Sequence, residues 1–295
     1  MLFSNLRICA DAVTDIAYAA IAGVLLNRLW LGKISTCTQR LRMCLAVCSA
    51  TLLIGLPLQY LLLSASMTGD TSWADAWSAV ADVAATHAGR AIIMDFCFVP
   101  CLLLFSLLPT SLQLTRSILI GMGIEVGFVA CRALHGHAAA DGDLTLREGI
   151  QFLHLSAIAT WGGGIVIAGL ITFPHLAARA EPDDVIQFGT RLSRTVTVAL
   201  GVVILSGIYN SWKGLGGSLS PLPTSAWGRM LLLKLFFVLL ALVHGVRVRL
   251  LLRTSSSWTP SRTTMMQKWI RAEALFMLFV FGCSAWLANL PPADM

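Results

Sequence analysis

Charge is scarce in this chain. Only 12% of its 295 residues are Asp, Glu, Lys or Arg, 57% belong to the apolar set, and the mean hydropathy is +0.77. A water-soluble domain of this length carries a charged fraction of roughly 25%, so a soluble globular fold is excluded and the chain reads as a polytopic membrane protein. CxxC pairs are absent as well. The eight cysteines, Cys9, Cys37, Cys44, Cys48, Cys97, Cys101, Cys131 and Cys283, lie mostly inside apolar runs, where thiols behave as small hydrophobes, which argues against a disulfide framework. No P-loop, dinucleotide-binding glycine pattern or nucleophile elbow occurs, which argues against nucleotide-driven energy coupling within this chain.

The charge that is present sets topology. The net charge of +6 does not call for a nucleic-acid partner, because Lys and Arg sit in short segments between apolar runs. A membrane helix needs about 20 mostly apolar residues. On that basis spans are expected near 9–31, 43–66, 91–109, 117–134, 149–172, 195–213, 228–251 and 271–290. The expected fold is an all-α bundle of eight transmembrane helices forming a single domain over 1–295. The first run is interrupted by Asp11 and Asp15 and has no small-residue cleavage site, so it reads as a retained helix and not a signal peptide. Pro57 and Pro100 fall inside spans two and three, where kinks are expected. The amphipathic stretch Met67 to Arg90 reads as an interfacial segment.

Counted by side, one face carries fourteen Lys and Arg and the other six, with Lys234 inside a span. The positive face is expected in the cytoplasm, which places both termini in the periplasm. His87, His135 and His137 then lie on the outer side and His154 roughly 10 Å inside span five, at 1.5 Å rise per residue. His175 and His244 lie toward the inner side.

Histidines clustered at a membrane face point to a metal. Imidazole is a preferred ligand of copper and zinc, and the glycine between His135 and His137 lets both rings turn toward one ion. The candidate ligands are His137 and His154, helped by His135 or His87. Beneath His87, the spacing of Met94, Cys97 and Cys101 forms one helical stripe able to hand a soft ion from nitrogen to sulfur, or simply to pack. Acids within spans are costly and need partners, water or an ion. Asp11 and Asp15 share a face at the outer end of span one, where they attract a cation or pair with Lys234 or Arg229. Glu125 is the deepest acid and reads as part of an ion or proton route. The run Gly162-Gly163-Gly164 with Gly169 permits close helix approach.

The segment Leu134-His135-Gly136-His137-Ala138-Ala139, followed by Leu153-His154-Leu155-Ser156-Ala157, Trp161 and Gly163-Gly164, resembles the CopD (copper resistance protein D) family of bacterial inner-membrane copper proteins. Thr86 to Arg90, Arg191 to Arg194, Gly207 to Asn210, Trp227-Gly228-Arg229 with Lys234, Arg271 and Glu273, and Pro291-Pro292 are similar to further family segments in the same order. The resemblance covers about 80–295 and is strongest there. It implies copper movement across the inner membrane, as Cu(I) or Cu(II), without covalent chemistry by the protein.

Two departures stand out. His244-Gly245-Val246-Arg247 replaces the family's Asn-Arg after span seven, and no Met-rich or soluble copper-binding region precedes span one, so a separate periplasmic copper chaperone is the expected donor. Glu273 is named through its resemblance to the family's acidic position, with Arg271 and Lys268 as neutralising neighbours, and His244 and His175 are candidates for ion release. The competing readings are a haem-binding electron-transfer protein, which an absorption spectrum would reveal, and a membrane partner that docks a copper carrier without transporting.

Overall fold

A computed structural model describes residues 2–32, 37–69, 72–108, 115–134, 145–253 and 258–292. Among these every regular element is helical. The long helices are α1 (Leu2–Leu31), α2 (Thr38–Met67), α5 (His87–Leu107), α6 (Thr115–Ala133), α7 (Leu146–Arg179), α8 (Pro182–Gly214), α10 (Ala226–Arg253) and α11 (Pro260–Ala288). Three short ones are α3 (Trp73–Ser78), α4 (Val80–Ala85) and α9 (Pro221–Thr224). Seven of the long helices are apolar and long enough to cross a membrane. α6 is not among the seven, because its nineteen residues include Arg116, Glu125 and Arg132.

Each long helix begins before the apolar stretch that marks it, since backbone hydrogen bonding continues into polar flanks where water can solvate side chains. Local signals set several starts. Thr86 accepts from the Gly89 N–H at 3.0 Å to cap α5. Thr145 and Glu148 form a reciprocal capping box at α7, satisfying two otherwise orphaned donors. Pro57 and Pro100 stay inside unbroken helices. The segment after α2 is broken at Ala79 into α3 and α4, which fold back on α2. Ala76 packs with Phe3, Leu62 and Ala65, and the Tyr60 hydroxyl donates to the Val80 carbonyl at 2.9 Å.

α1 and α7 form the centre. Within the most apolar stretch of α7, 72% is buried, against 17% for α10 on the periphery. α1 packs on α2, α6, α7 and α11; α5 lies between α2 and α6; α8 packs on α7 and α10 on α11. The α1–α7 crossing is a backbone contact: a Cβ on Gly163 would lie 1.7 Å from the Ala19 carbonyl oxygen, and one on Gly23 would lie 2.1 Å from that of Gly163. Only glycine fits either position. Asn27 reinforces the crossing by donating to the carbonyls of Gly23 and Gly164 at 2.7 and 3.1 Å.

α7 carries two π-helical turns, Ala159–Gly163 and Ala168–Thr172. Such turns insert one extra residue per turn and are frequent at functional sites. They rotate the register of the central helix so that side chains on its two halves address different neighbours. Successive long helices alternate in direction. The starts of α1, α5 and α7 and the ends of α2, α6, α8 and α11 are therefore gathered on one face, here named for His87. The opposite face is marked by Arg191, which donates to the Trp30 carbonyl at 2.7 Å.

Candidate metal centre and the polar interior

At the His87 face three helix ends are held together by one imidazole. His87 Nε2 lies 3.0 Å from the Leu134 carbonyl at the end of α6 and 3.9 Å from Glu148 Oε1 at the start of α7. Leu134 directly precedes residues 135–144, so His135 and His137 belong to the connection between these helices, but they lie outside the described residues.

His154 occupies a different corner, between α7 and α8. Its Nδ1 is 2.9 Å from the Ser206 Oγ, and that hydroxyl lies 2.5 Å from the Val202 carbonyl of its own helix. A hydroxyl has one proton to give. With that proton committed to Val202, Ser206 accepts, so His154 donates from Nδ1 and keeps the lone pair of Nε2. Holding one ring nitrogen by a hydrogen bond while the other stays basic is how metal-ligating histidines are oriented. One turn toward the His87 face, Asn210 donates to Gln151 at 2.9 Å, and Gly207 leaves room beside the imidazole, since a Cβ there would sit 3.5 Å from His154 Cε1.

The structure does not join these two histidines into one shell. His87 reaches Glu148 on one side of α7, while His154 faces α8. Among the described residues no group of three or more His, Cys, Asp or Glu side chains is placed to hold a metal ion.

The acids of α1 have partners other than those expected. Arg132, near the end of α6, bonds Asp15 Oδ1 through Nη2 at 2.6 Å and Nε at 3.2 Å and lies over the Tyr18 ring at 5.5 Å. Lys234 and Arg229 do not fill that role, because α6 runs directly beside α1. Gln59 of α2 donates to Asp11 at 2.5 Å and to Thr14 at 2.7 Å, and Asn289 at the end of α11 donates to the other Asp11 oxygen at 2.7 Å. Arg132 was legible only as a topology residue, since nothing in its spacing reveals a neighbour 117 positions away.

Glu273 lies half-way along α11, 2% exposed, and its partner is Trp161, whose Nε1–H donates to Oε1 at 3.2 Å across the bundle. Arg271 and Lys268 do not supply this contact. Trp161 sits in the first π turn, which aims its indole at α11 and away from a position beneath His154. Gly245 passes close by, with a Cβ there falling 3.1 Å from Glu273 Oε1. A cleft of about 20 Å³, room for one water, borders Glu273, Ser193, Gly245 and Arg249. His244 bonds the Leu240 carbonyl of its own helix at 2.8 Å and packs on Phe276 with ring centres 5.4 Å apart. His154 and His244 are thus engaged with different helix pairs.

The sulfur stripe of α5 faces outward. Met94, Cys97 and Cys101 are exposed, and the two thiols approach only their own helix carbonyls, those of Ile93 at 3.5 Å and Cys97 at 3.8 Å. The inward face of α5 is instead Ala91, Asp95, Val99 and Leu102. Cys44 and Cys48 of α2 lie 3.9 Å apart as helical neighbours. Glu125 of α6 is 4% exposed, with no hydrogen-bond partner among the described residues for either carboxylate oxygen.

Comparison with known proteins places this geometry in a family. The family model for the copper resistance protein D-like N-terminal domain matches residues 3–146, and that for copper resistance protein D matches 186–287. The two follow one another in chain order. The copper transport protein CutJ of Bacillus subtilis (strain 168) is 29% identical over 171 residues, which are 56% of this chain and 29% of that protein. The chain therefore spans under a third of the length of that relative. No solved structure matches the chain. With both models matched in order across a helical, membrane-type chain, the protein belongs to the copper resistance protein D family.

Proposed function

We propose that this chain carries copper across the bacterial inner membrane, inward from the periplasm. In this reading the eight long helices all span, α6 being tolerated through its Arg132–Asp15 pair, and both termini are periplasmic. The bias of fourteen Lys and Arg against six supports that orientation. Copper, delivered by a periplasmic chaperone, is taken by His137 and His154 with His135 completing the shell, while His87 stays with the Leu134 carbonyl and Glu148.

The observation that carries the reading is the ring of His154. It is held at Nδ1 by Ser206 with Nε2 left basic, in a chain whose family and relative are named for copper.

Uptake by proteoliposomes tests the proposal. Vesicles holding the full chain are expected to accumulate external copper, and His154→Ala is expected to abolish accumulation. Copper bound by the wild type but never delivered to the lumen would replace transport by docking of a copper carrier. Unimpaired uptake by His154→Ala would remove the proposed ligand.

A further inference from the structure

The surroundings of Glu125 are left unexplained by the copper reading. It lies on the inward stripe of α6 with Ile118, Gly121 and Phe128, all buried, and among the described residues neither of its oxygens has a hydrogen-bond partner. The ionisable group that acts on it most directly is another acid, Asp95 of α5, 0% exposed. Tyr18 and Asp15 come from α1, Cys48 from α2, and Glu148 of α7 stays at the His87 face. Arg132 lies seven residues along the same helix, about 10 Å at 1.5 Å per residue. Its guanidinium is taken by Asp15, and it also acts on Asp95.

Two acids sharing a low-dielectric site cannot both be ionised. Among the described residues no third His, Cys, Asp or Glu side chain joins them to replace a metal ion's hydration, so the cation that fits is a proton.

We propose that Glu125, with Asp95 on the packed neighbour α5, forms a proton-binding site within the bundle, Glu125 holding the proton, and that this proton leaves toward the outer water as copper moves inward. The coupling, though not the site, rests on the transport reading above. No bond other than O–H is made or broken.

Infrared spectroscopy of the full chain in lipid at neutral pH reads the site without copper. The wild type is expected to show the C=O stretch of a protonated carboxylic acid, shifted in D2O, which disappears in Glu125→Gln and changes frequency in Asp95→Asn. An undiminished band in Glu125→Gln overturns the site. Should that variant not fold, an unshifted band in Asp95→Asn overturns the pairing. In vesicles with an entrapped pH dye, copper uptake by the wild type is expected to raise lumenal pH, and Glu125→Gln is expected to lose the pH change. Uptake without any pH change overturns the coupling and leaves copper transport standing. A band that behaves as expected in a wild type that takes up no copper sinks the transport reading and the coupling, while leaving the proton site.

Discussion

The two halves of the bundle solve the problem of packing helices in opposite ways. Toward the His87 face, polar side chains tie α1 to α2, α6 and α11 and tie α7 to α8: Asp15 to Arg132, Asp11 to Gln59 and Asn289, and His154 to Ser206. Around the α1–α7 crossing backbones touch through Gly23 and Gly163, and the polar side chains there are few, Asn27 on the crossing itself and the Trp161–Glu273 bond beside it. In lipid no hydrophobic force draws helices together, so close van der Waals packing and hydrogen bonds must do so. The glycine crossing brings two backbones into direct contact, and the polar half joins its helices through side-chain hydrogen bonds and one ion pair. An ion enters more readily where ligands already form a network than where glycines have excluded every gap.

The comparison is broken most severely at the glycine crossing. Gly163→Ala is expected to prevent the folded bundle from forming, because its methyl group would overlap the Ala19 backbone, and overpacking against backbone exceeds the usual cost of about 1–3 kcal/mol; size-exclusion profile and thermal unfolding of the purified protein check this. A folded, monodisperse variant would show that the crossing is looser than described.

Within the polar half, Asp15→Ala strands Arg132 and is expected to lose about 3–5 kcal/mol. Replacing both partners in Asp15→Ala/Arg132→Met is expected to recover a large part of that loss. A double-mutant cycle by thermal unfolding measures the coupling. Trp161→Phe removes the indole donor of Glu273 and is expected to cost about 1–3 kcal/mol, read by the same melt, with Glu273→Gln and Trp161→Phe non-additive.

Ser206→Ala sharpens the distinction between a packed and a binding histidine. It should weaken copper binding about 10- to 100-fold by freeing the ring of His154, measured by competition with a copper chelator, with little change in stability. The smallest effect is expected at the α7 start, where Thr145→Ala loses the capping box for about 1 kcal/mol.

Much of this arrangement could be read from residue order. Each of the eight expected apolar stretches overlaps one long helix, three of them running one or two residues past its end, and the glycine run proved to be a contact surface, because hydropathy and small-residue spacing are local properties. Partners were not legible. Asp15 finds Arg132 and Glu273 finds Trp161 across more than a hundred residues, and no period within a helix encodes such pairs. The π turns were also invisible, and they determine that Trp161 points at α11 rather than beneath His154. The stripe of Met94, Cys97 and Cys101 was correctly aligned but its direction was open; α2 and α6 cover the Asp95 face, which leaves the sulfurs outside. His154 was legible as a ligand candidate, and Ser206, fifty-two positions away, was not.

X-ray absorption at the copper edge on the purified, copper-loaded chain tests the central claim most directly. The account predicts outer-shell scattering from imidazole rings in the wild type, with bound copper lost in His154→Ala and in His137→Ala while helicity by circular dichroism is unchanged. Copper held at wild-type occupancy, with an unaltered imidazole signature, in both variants would contradict it.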